Sequence, residues 1–353
     1  MYRISTLARR LLGRPVVTHR PGRRPRPLAV EGLEDRFVPY HTYLSEGLSD
    51  ARWSFNDLAY SYSNLLDGGM NGISPAELTA ATQETLGAWA AVSPLTFTEI
   101  ADVGPPVDGS RYPVGQSAQL RYGHVRIDGP SNTLALTVSP SDDGRGGDSR
   151  FDDSETWTVH PSGPHIPGGP IDFLETATHE FGHALGLDHQ PADGPGGGPA
   201  VMNPFYAGLF SGPGTAHLLP DDVAGIRSLY GAGLGYVLTR GGELNVYGTG
   251  DADVLTLSAG GGTVTVTTGD GRVFTRSLAG VTSFALHGQG GDDILRVESD
   301  AGLPVTLDGG GGNDFFDLAF GSGTLGAVTG NVLVEGGDGT DTIWAYDRAT
   351  AGD

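Results

Sequence analysis

Between residues 53 and 159 the chain alternates apolar and polar positions with a period near two, in short runs: "WSFNDLAYSYS" (53–63), "LTFTEI" (95–100), "AQLRYGHV" (118–125), "TLALTV" (133–138) and "TWTV" (156–159). Each predicts a short strand with one face turned to a core. Three other stretches carry the helical period. "ISPAELTAATQETLGAWAAV" (73–92) opens with Ser74 as cap, Pro75 in the first turn and Glu77 three residues after the cap, which is a capping box. "PIDFLETATHEFGHALG" (170–186) repeats Phe173, Leu174, Ala177 and Phe181 on one face, with Gly186 as a left-handed stop. "PDDVAGIRSLYG" (220–231) begins with acids and ends on Gly231.

From Tyr236 onward the pattern changes. "LNVYGTGDADVLTL", "FALHGQGGDDILRV", "VTLDGGGGNDFFDL" and "VLVEGGDGTDTIWA" each read strand, Gly-rich turn closing on an aspartate, strand, so this part is built from repeats. The resulting division is a Pro/Arg-rich export or leader segment at 1–38, a mixed α+β domain at 39–233 and a Gly/Asp-rich all-β repeat domain at 236–353.

Composition narrows the chemistry. There is no cysteine among the 353 residues, so a disulfide framework, a thiolate metal site and a cysteine-based latency lock are excluded. The basic side chains are all arginine, and the formal net charge of -21 argues against nucleic acid as a partner. No stretch has the apolar length of a membrane span. Nine arginines, from Arg3 to Arg36, crowd the head, so the remainder is more acidic than the total implies.

The candidate chemistry lies in "HEFGHALGLDH" (179–189), which holds three of the ten histidines. Residues four apart lie on one helix face, roughly 6 Å along the axis, so His179 and His183 can aim at one point. After Gly186 the chain can turn back and bring His189 to the same ion, leaving a fourth position open, as hydrolytic zinc requires. Glu180, next to the first ligand, is placed to act as general base. Zinc-assisted hydrolysis of a protein or peptide substrate follows.

The extended motif is that of metzincins, and its surroundings resemble the matrixin branch, the matrix metalloproteinase-like peptidases, over roughly residues 50 to 231. The resemblance implies a catalytic domain of one twisted mixed sheet and three helices. It places Met202 of "VMNPFY" in a Met-turn beneath the zinc, with Pro204 and Tyr206 on the wall of the substrate pocket. Asp221 and Asp222 would cap the last helix and buttress that turn. Asp128, Asp152 and Glu155, with loop carbonyls such as Gly129, fall on the family's calcium ligands. The family's second, structural zinc meets Arg121, Gly123, Leu136 and Arg150 here, none a normal ligand, so none is expected. Arg150 could instead pair with Asp148 or Asp152. The loop between His189 and the Met-turn is longer than usual, and His160 and His165 read as loop residues.

"GGGGNDFF" and "GGDGTDTI" resemble the calcium-binding repeats of RTX proteins, with Asp314 and Asp341 as ligands; a plain β-turn reading stays open. The repeat domain is expected to serve cell-surface or matrix attachment or substrate positioning. "LAVEGLEDRFVP" resembles a leader carried by many extracellular proteins of planctomycete-type bacteria, so a secreted or surface-attached protein is expected. The alternative to an endopeptidase is an inert surface adhesin on a metzincin scaffold, and the intact Glu180 argues for the enzyme.

Overall fold

In the computed structural model the described residues run from 52 to 346, apart from 109–117, 131, 142–143, 162–168, 190–199, 206 and 320–324. The Arg-rich head, His165, Tyr206 and the loop after His189 therefore lie outside the described residues.

The first unit runs β1 (Asp57–Tyr62), α1 (Pro75–Val92), β2 (Thr96–Glu99), β3 (Leu120–Val125), β4 (Ala135–Thr137), β5 (Asp148–Asp152), β6 (Trp157–Thr158), β7 (Ile171–Asp172), α2 (Phe173–Ala184) and α3 (Pro220–Tyr230). The capping box forms as read: the Ser74 side chain receives Glu77 N–H, and Glu77 Oε2 receives Ser74 N–H at 2.8 Å. Strands β1, β2, β3 and β5 are parallel, and β4 runs antiparallel to β5. Helix α2 packs on this sheet by stacking Phe181 on Tyr122, ring centroids 4.1 Å apart. Phe151, Trp157 and Phe173 close the adjoining core, all within 1% exposure.

The repeat unit adds β8 (Tyr236–Leu238), β9 (Glu243–Tyr247), β10 (Val254–Gly260), β11 (Thr263–Thr268), β12 (Val273–Ser277), β13 (Ser283–His287), β14 (Ile294–Asp300), β15 (Val305–Asp308), β16 (Phe315–Leu318), β17 (Val332–Glu335) and β18 (Thr342–Ala345). It is a parallel two-sheet solenoid. β9, β13, β15 and β17 stack on one side, β10, β14, β16 and β18 on the other. The Gly/Asp turns join the two sides within each coil, while β11 and β12 form an inserted hairpin. Alternate positions such as Leu255, Leu257, Leu295, Val297 and Phe316 fill the space between the sheets.

The two units share one sheet. β8 lies parallel to β2 and antiparallel to β9, so ten strands run without a break from β17 to β4. Tyr247 of β9 lies against α1 at Gly87, where a Cβ would come within 2.3 Å of the ring, and stacks on the His287 ring at 4.4 Å. Arg272, from the hairpin, donates to the carbonyl of Ala91 at the end of α1.

The repeat aspartates form a ladder. Asp293 Oδ1 accepts Asp253 N–H at 2.7 Å, Asp314 Oδ1 accepts Asp293 N–H at 2.9 Å, and Asp341 Oδ1 accepts Asp314 N–H at 3.0 Å. Each carboxylate thus ties its coil to the preceding one. The second oxygens of Asp293 and Asp314 are buried and meet no donor. Burial, reinforced by the charges of Asp314, Asp253 and Asp292, pushes the Asp293 carboxyl up to about 7, against the opposing Asp253 N–H.

Two outcomes follow. Gly87→Ala should destabilise the chain by about 1–3 kcal/mol through overpacking, despite the roughly 1 kcal/mol helix preference for alanine. Pairing it with Tyr247→Ala should be markedly non-additive in urea unfolding, and simple additivity would show that the two do not meet. For Asp293 the folded pKa lies above an unfolded value of about 3.9, so its contribution is full below about pH 4 and lost as pH rises through about 7. In chelator, Asp293→Asn should flatten the urea midpoint across that window and raise it at pH 8; an unchanged slope would remove Asp293 as the cause.

Candidate metal centre

Helix α2 is capped by Asp172, whose Oδ1 accepts Leu174 N–H at 2.9 Å, and all twelve helical residues are buried. Its end is a Schellman turn: Leu187 N–H reaches Gly182 O at 2.9 Å, Gly186 N–H reaches His183 O at 3.0 Å, and Gly186 takes φ 107°. The turn carries the chain back to place His189 beside the helix. The ligand nitrogens of His179, His183 and His189 lie within 4.8 Å of one another, the only such trio of metal-binding side chains among the described residues.

The imidazoles are aimed by backbone. His179 Nδ1–H donates to Val201 O at 2.7 Å and His183 Nδ1–H to Leu187 O at 2.7 Å. A carbonyl can only accept, so in the neutral rings both Nε2 atoms present lone pairs, and these face each other at 3.0 Å. Burial and the neighbouring imidazoles hold His179 well below its usual range and His183 down to about 3, so a proton does not bridge them. Facing lone pairs on neutral rings need a cation between them, and three nitrogens suit zinc. The residues present therefore fit the ion.

Glu180 is fully buried on the same helix. Burial pushes its carboxyl up to about 8, opposed by Thr137 and by the charge of Arg150. Thr137 gives its proton to Ser149 Oγ at 2.9 Å, and neither Glu180 oxygen receives a hydrogen bond. Glu180 is thus a buried acceptor that no donor engages, next to His179 in the chain.

Beneath the site, Met202 is fully buried with its sulfur against Gly182, where a Cβ would come within 2.3 Å. Asp222 holds this turn: its carboxylate accepts Val201 N–H at 3.0 Å, Met202 N–H at 3.2 Å and Leu219 N–H at 3.0 Å. Sequence reasoning missed two further anchors. Glu175 accepts Ala207, Gly208 and Leu209 N–H, and Glu84 accepts Gly214 and Ala216 N–H. Each is a carboxylate inside a helix with a buried position, the one signal that could have marked it. Pro204 is half-buried beyond the Met-turn.

The expected calcium carboxylates are engaged by their own loops. Asp128 accepts Thr133 N–H and Oγ1–H, and Asp152 accepts Ser154 N–H, Ser154 Oγ–H and Asp128 N–H; Glu155 is buried close by in sequence. They do not converge as a ligand trio.

The expected pairing of Arg150 is corrected. Among the described residues it makes no ion pair, and Asp148, Asp108 and Glu180 act on it only through their fields. Asp148 and Asp152 are two residues away along a strand, about 6.6 Å in each direction, and Asp152 is taken up by Ser154. Arg121 makes the cross-link instead. Its guanidinium grips Asp102 through two bonds of 2.9 and 3.0 Å and adds Pro105 O and Ser63 Oγ.

Asp222→Ala would leave three backbone donors without their acceptor, at about 1–3 kcal/mol each. It should lower unfolding stability by at least about 3 kcal/mol and loosen zinc retention, with Asp222→Asn in between; wild-type stability and zinc content in the alanine variant would dismiss the buttress.

Comparisons with known proteins agree with this centre. The matrixin model of the M10 peptidases matches residues 52–231. The chain is 36% identical over 188 residues to stromelysin-3 of Rattus norvegicus, covering 52% of this chain and 32% of the relative. It is 33% identical over 190 residues to matrix metalloproteinase-20 of Homo sapiens, 52% and 33% of the two chains, and 34% over 184 residues to matrix metalloproteinase-25 of Mus musculus, 52% and 28%. The chain thus spans about a third of the length of the curated relatives it matches. With the matched region covering half of its residues and containing the whole histidine centre, the chain belongs to the matrixin family.

Proposed function

We propose that this protein is a zinc-dependent metalloendopeptidase that cuts peptide bonds in extracellular proteins. The observation that carries the reading is the pair of buried imidazoles, pinned through Nδ1 with their Nε2 lone pairs facing at 3.0 Å. His179, His183 and His189 would hold the ion. When bound, zinc supplies a Lewis acid for the scissile carbonyl and an acidified water.

The chain's own residues do the rest. Glu180 takes the proton of the attacking water on a carboxylate oxygen and passes it to the departing amine nitrogen. Met202 and Asp222 keep the floor of the site rigid, so the nitrogens stay converged. Pro204, half-buried beyond the Met-turn, would border the substrate side chain. The matrixin relatives support the same chemistry.

Calcium is proposed at Asp314 and Asp341 with their turn carbonyls, and not at Asp128, Asp152 and Glu155, which do not converge as a ligand trio. What supports it in the repeats is the buried second oxygen of Asp314, which meets no donor. Action outside the cell is proposed on the resemblance of "LAVEGLEDRFVP" to a leader of extracellular proteins. No helix among the described residues is long and apolar enough to cross a membrane. Retention at a surface or matrix by the repeat unit belongs to the same proposal.

The test is cleavage of a quenched fluorescent peptide library by the zinc-loaded chain, beside Glu180→Gln. The variant should keep one zinc per chain and lose at least about 10²-fold in kcat, whereas His183→Ala should lose the zinc. A folded, zinc-loaded wild type that cuts nothing would leave the adhesin reading in its place.

A further inference from the structure

A groove of about 600 Å³ separates the segment Leu209–His217 of the first unit from the Gly-rich turns of the repeat unit. That size lies within the range of pockets that hold small ligands or peptide segments, roughly 300–1,000 Å³. Neither wall is loose. Glu175, one helical turn before His179, holds the start of the segment, and Glu84 holds Gly214 and Ala216. The opposite wall is fixed by the coil-to-coil bonds of the turns.

The polar lining is mostly acceptor. Asp308 contributes a carboxylate whose Oδ2 is held by His287 Nδ1 at 3.1 Å, and the exposed Asp338 contributes a second. His217 Nδ1–H is spent on Thr215 O at 2.9 Å, which leaves Nε2 as an acceptor in the neutral ring. No arginine lines the groove, and the chain has no lysine.

Gln289 is the residue that sets this groove apart from ordinary turn chemistry. The next two coils place Gly310 and Gly337 at its position, at φ 88° and 85°, and Gln289 adopts φ 78° where those two coils use glycine. Its side chain is more than nine-tenths buried, lines the groove, and its Oε1 meets no donor. A strained backbone and an unmet buried acceptor persist together where a bound group makes use of them.

We propose that this groove binds an arginine side chain of an extended polypeptide, as a docking site between the first unit and the repeat turns. A guanidinium brings five donors and a charge that matches two carboxylates and Gln289 Oε1. A bare metal ion does not suit the groove, because its acids and His217 do not converge as ligands. The identity of the polypeptide as substrate rests on the peptidase reading above, but the binding itself does not.

The experiment measures binding of a blocked, fluorescent Gly-Ser-Arg-Ser-Gly peptide to the zinc-loaded full chain carrying Glu180→Gln, beside the same peptide with citrulline for arginine. The arginine peptide should bind at least tenfold tighter, with the preference shrinking as salt rises. Gln289→Gly installs the residue that the neighbouring coils use, so its melting temperature should hold or rise while the preference is lost. Asp338→Asn, at an exposed position, should weaken it in part. Equal binding of the two peptides, or an undiminished preference in both variants, overturns the proposal. A wild type that cleaves nothing while its Glu180→Gln form still discriminates would sink the peptidase reading alone.

Discussion

The geometry of the centre rests on two hydrogen bonds from imidazole Nδ1 to backbone carbonyls. They decide which nitrogen of His179 and His183 keeps a lone pair and where it points. Much of the first unit keeps those two carbonyls in place. Leu187 O is delivered by the Schellman turn that Gly186 permits, and Val201 O belongs to the turn that Asp222 grips through two N–H groups. Remove either support and the ring can rotate, after which three histidines in sequence no longer make one site.

Burial has the second say. The same burial that keeps the His183 imidazole neutral also raises the Glu180 carboxyl, so one helix holds a ring without its proton and a carboxyl with greater affinity for one. Both effects come from one cause, the depth of α2 between the sheet and the Met-turn. Arg150 enters only as a distant positive field on Glu180, while Arg121 and Asp102 do the cross-linking near the far edge of the sheet.

The repeat unit is joined to this scaffold by a sheet instead of a tether. β8 pairs with β2, and the fit of Tyr247 on Gly87 locks α1 to the first coil. The two hydrophobic clusters remain separate, one around α1 and α2, the other between the solenoid sheets. A shared sheet makes the solenoid a continuation of the first unit although their cores are separate, and the groove lies between the two.

Much of this was legible in the chain itself. Local chemistry determined the helix starts and stops at Ser74, Gly186 and Gly231, the strand segments, the strand-turn-strand repeats, and the grouping of His179, His183 and His189, because caps, periodicity and i, i+4 spacing act within a few residues. The joining of two units into a ten-stranded sheet was decided only by tertiary structure, as was the grip of Glu175, Glu84 and Asp222 on remote loops. So too was the replacement of an expected Arg150 pair by Arg121 and Asp102. Those depend on which distant backbone donors and carboxylates meet once the chain is buried, and nothing in a local pattern records where a long-range partner will stand.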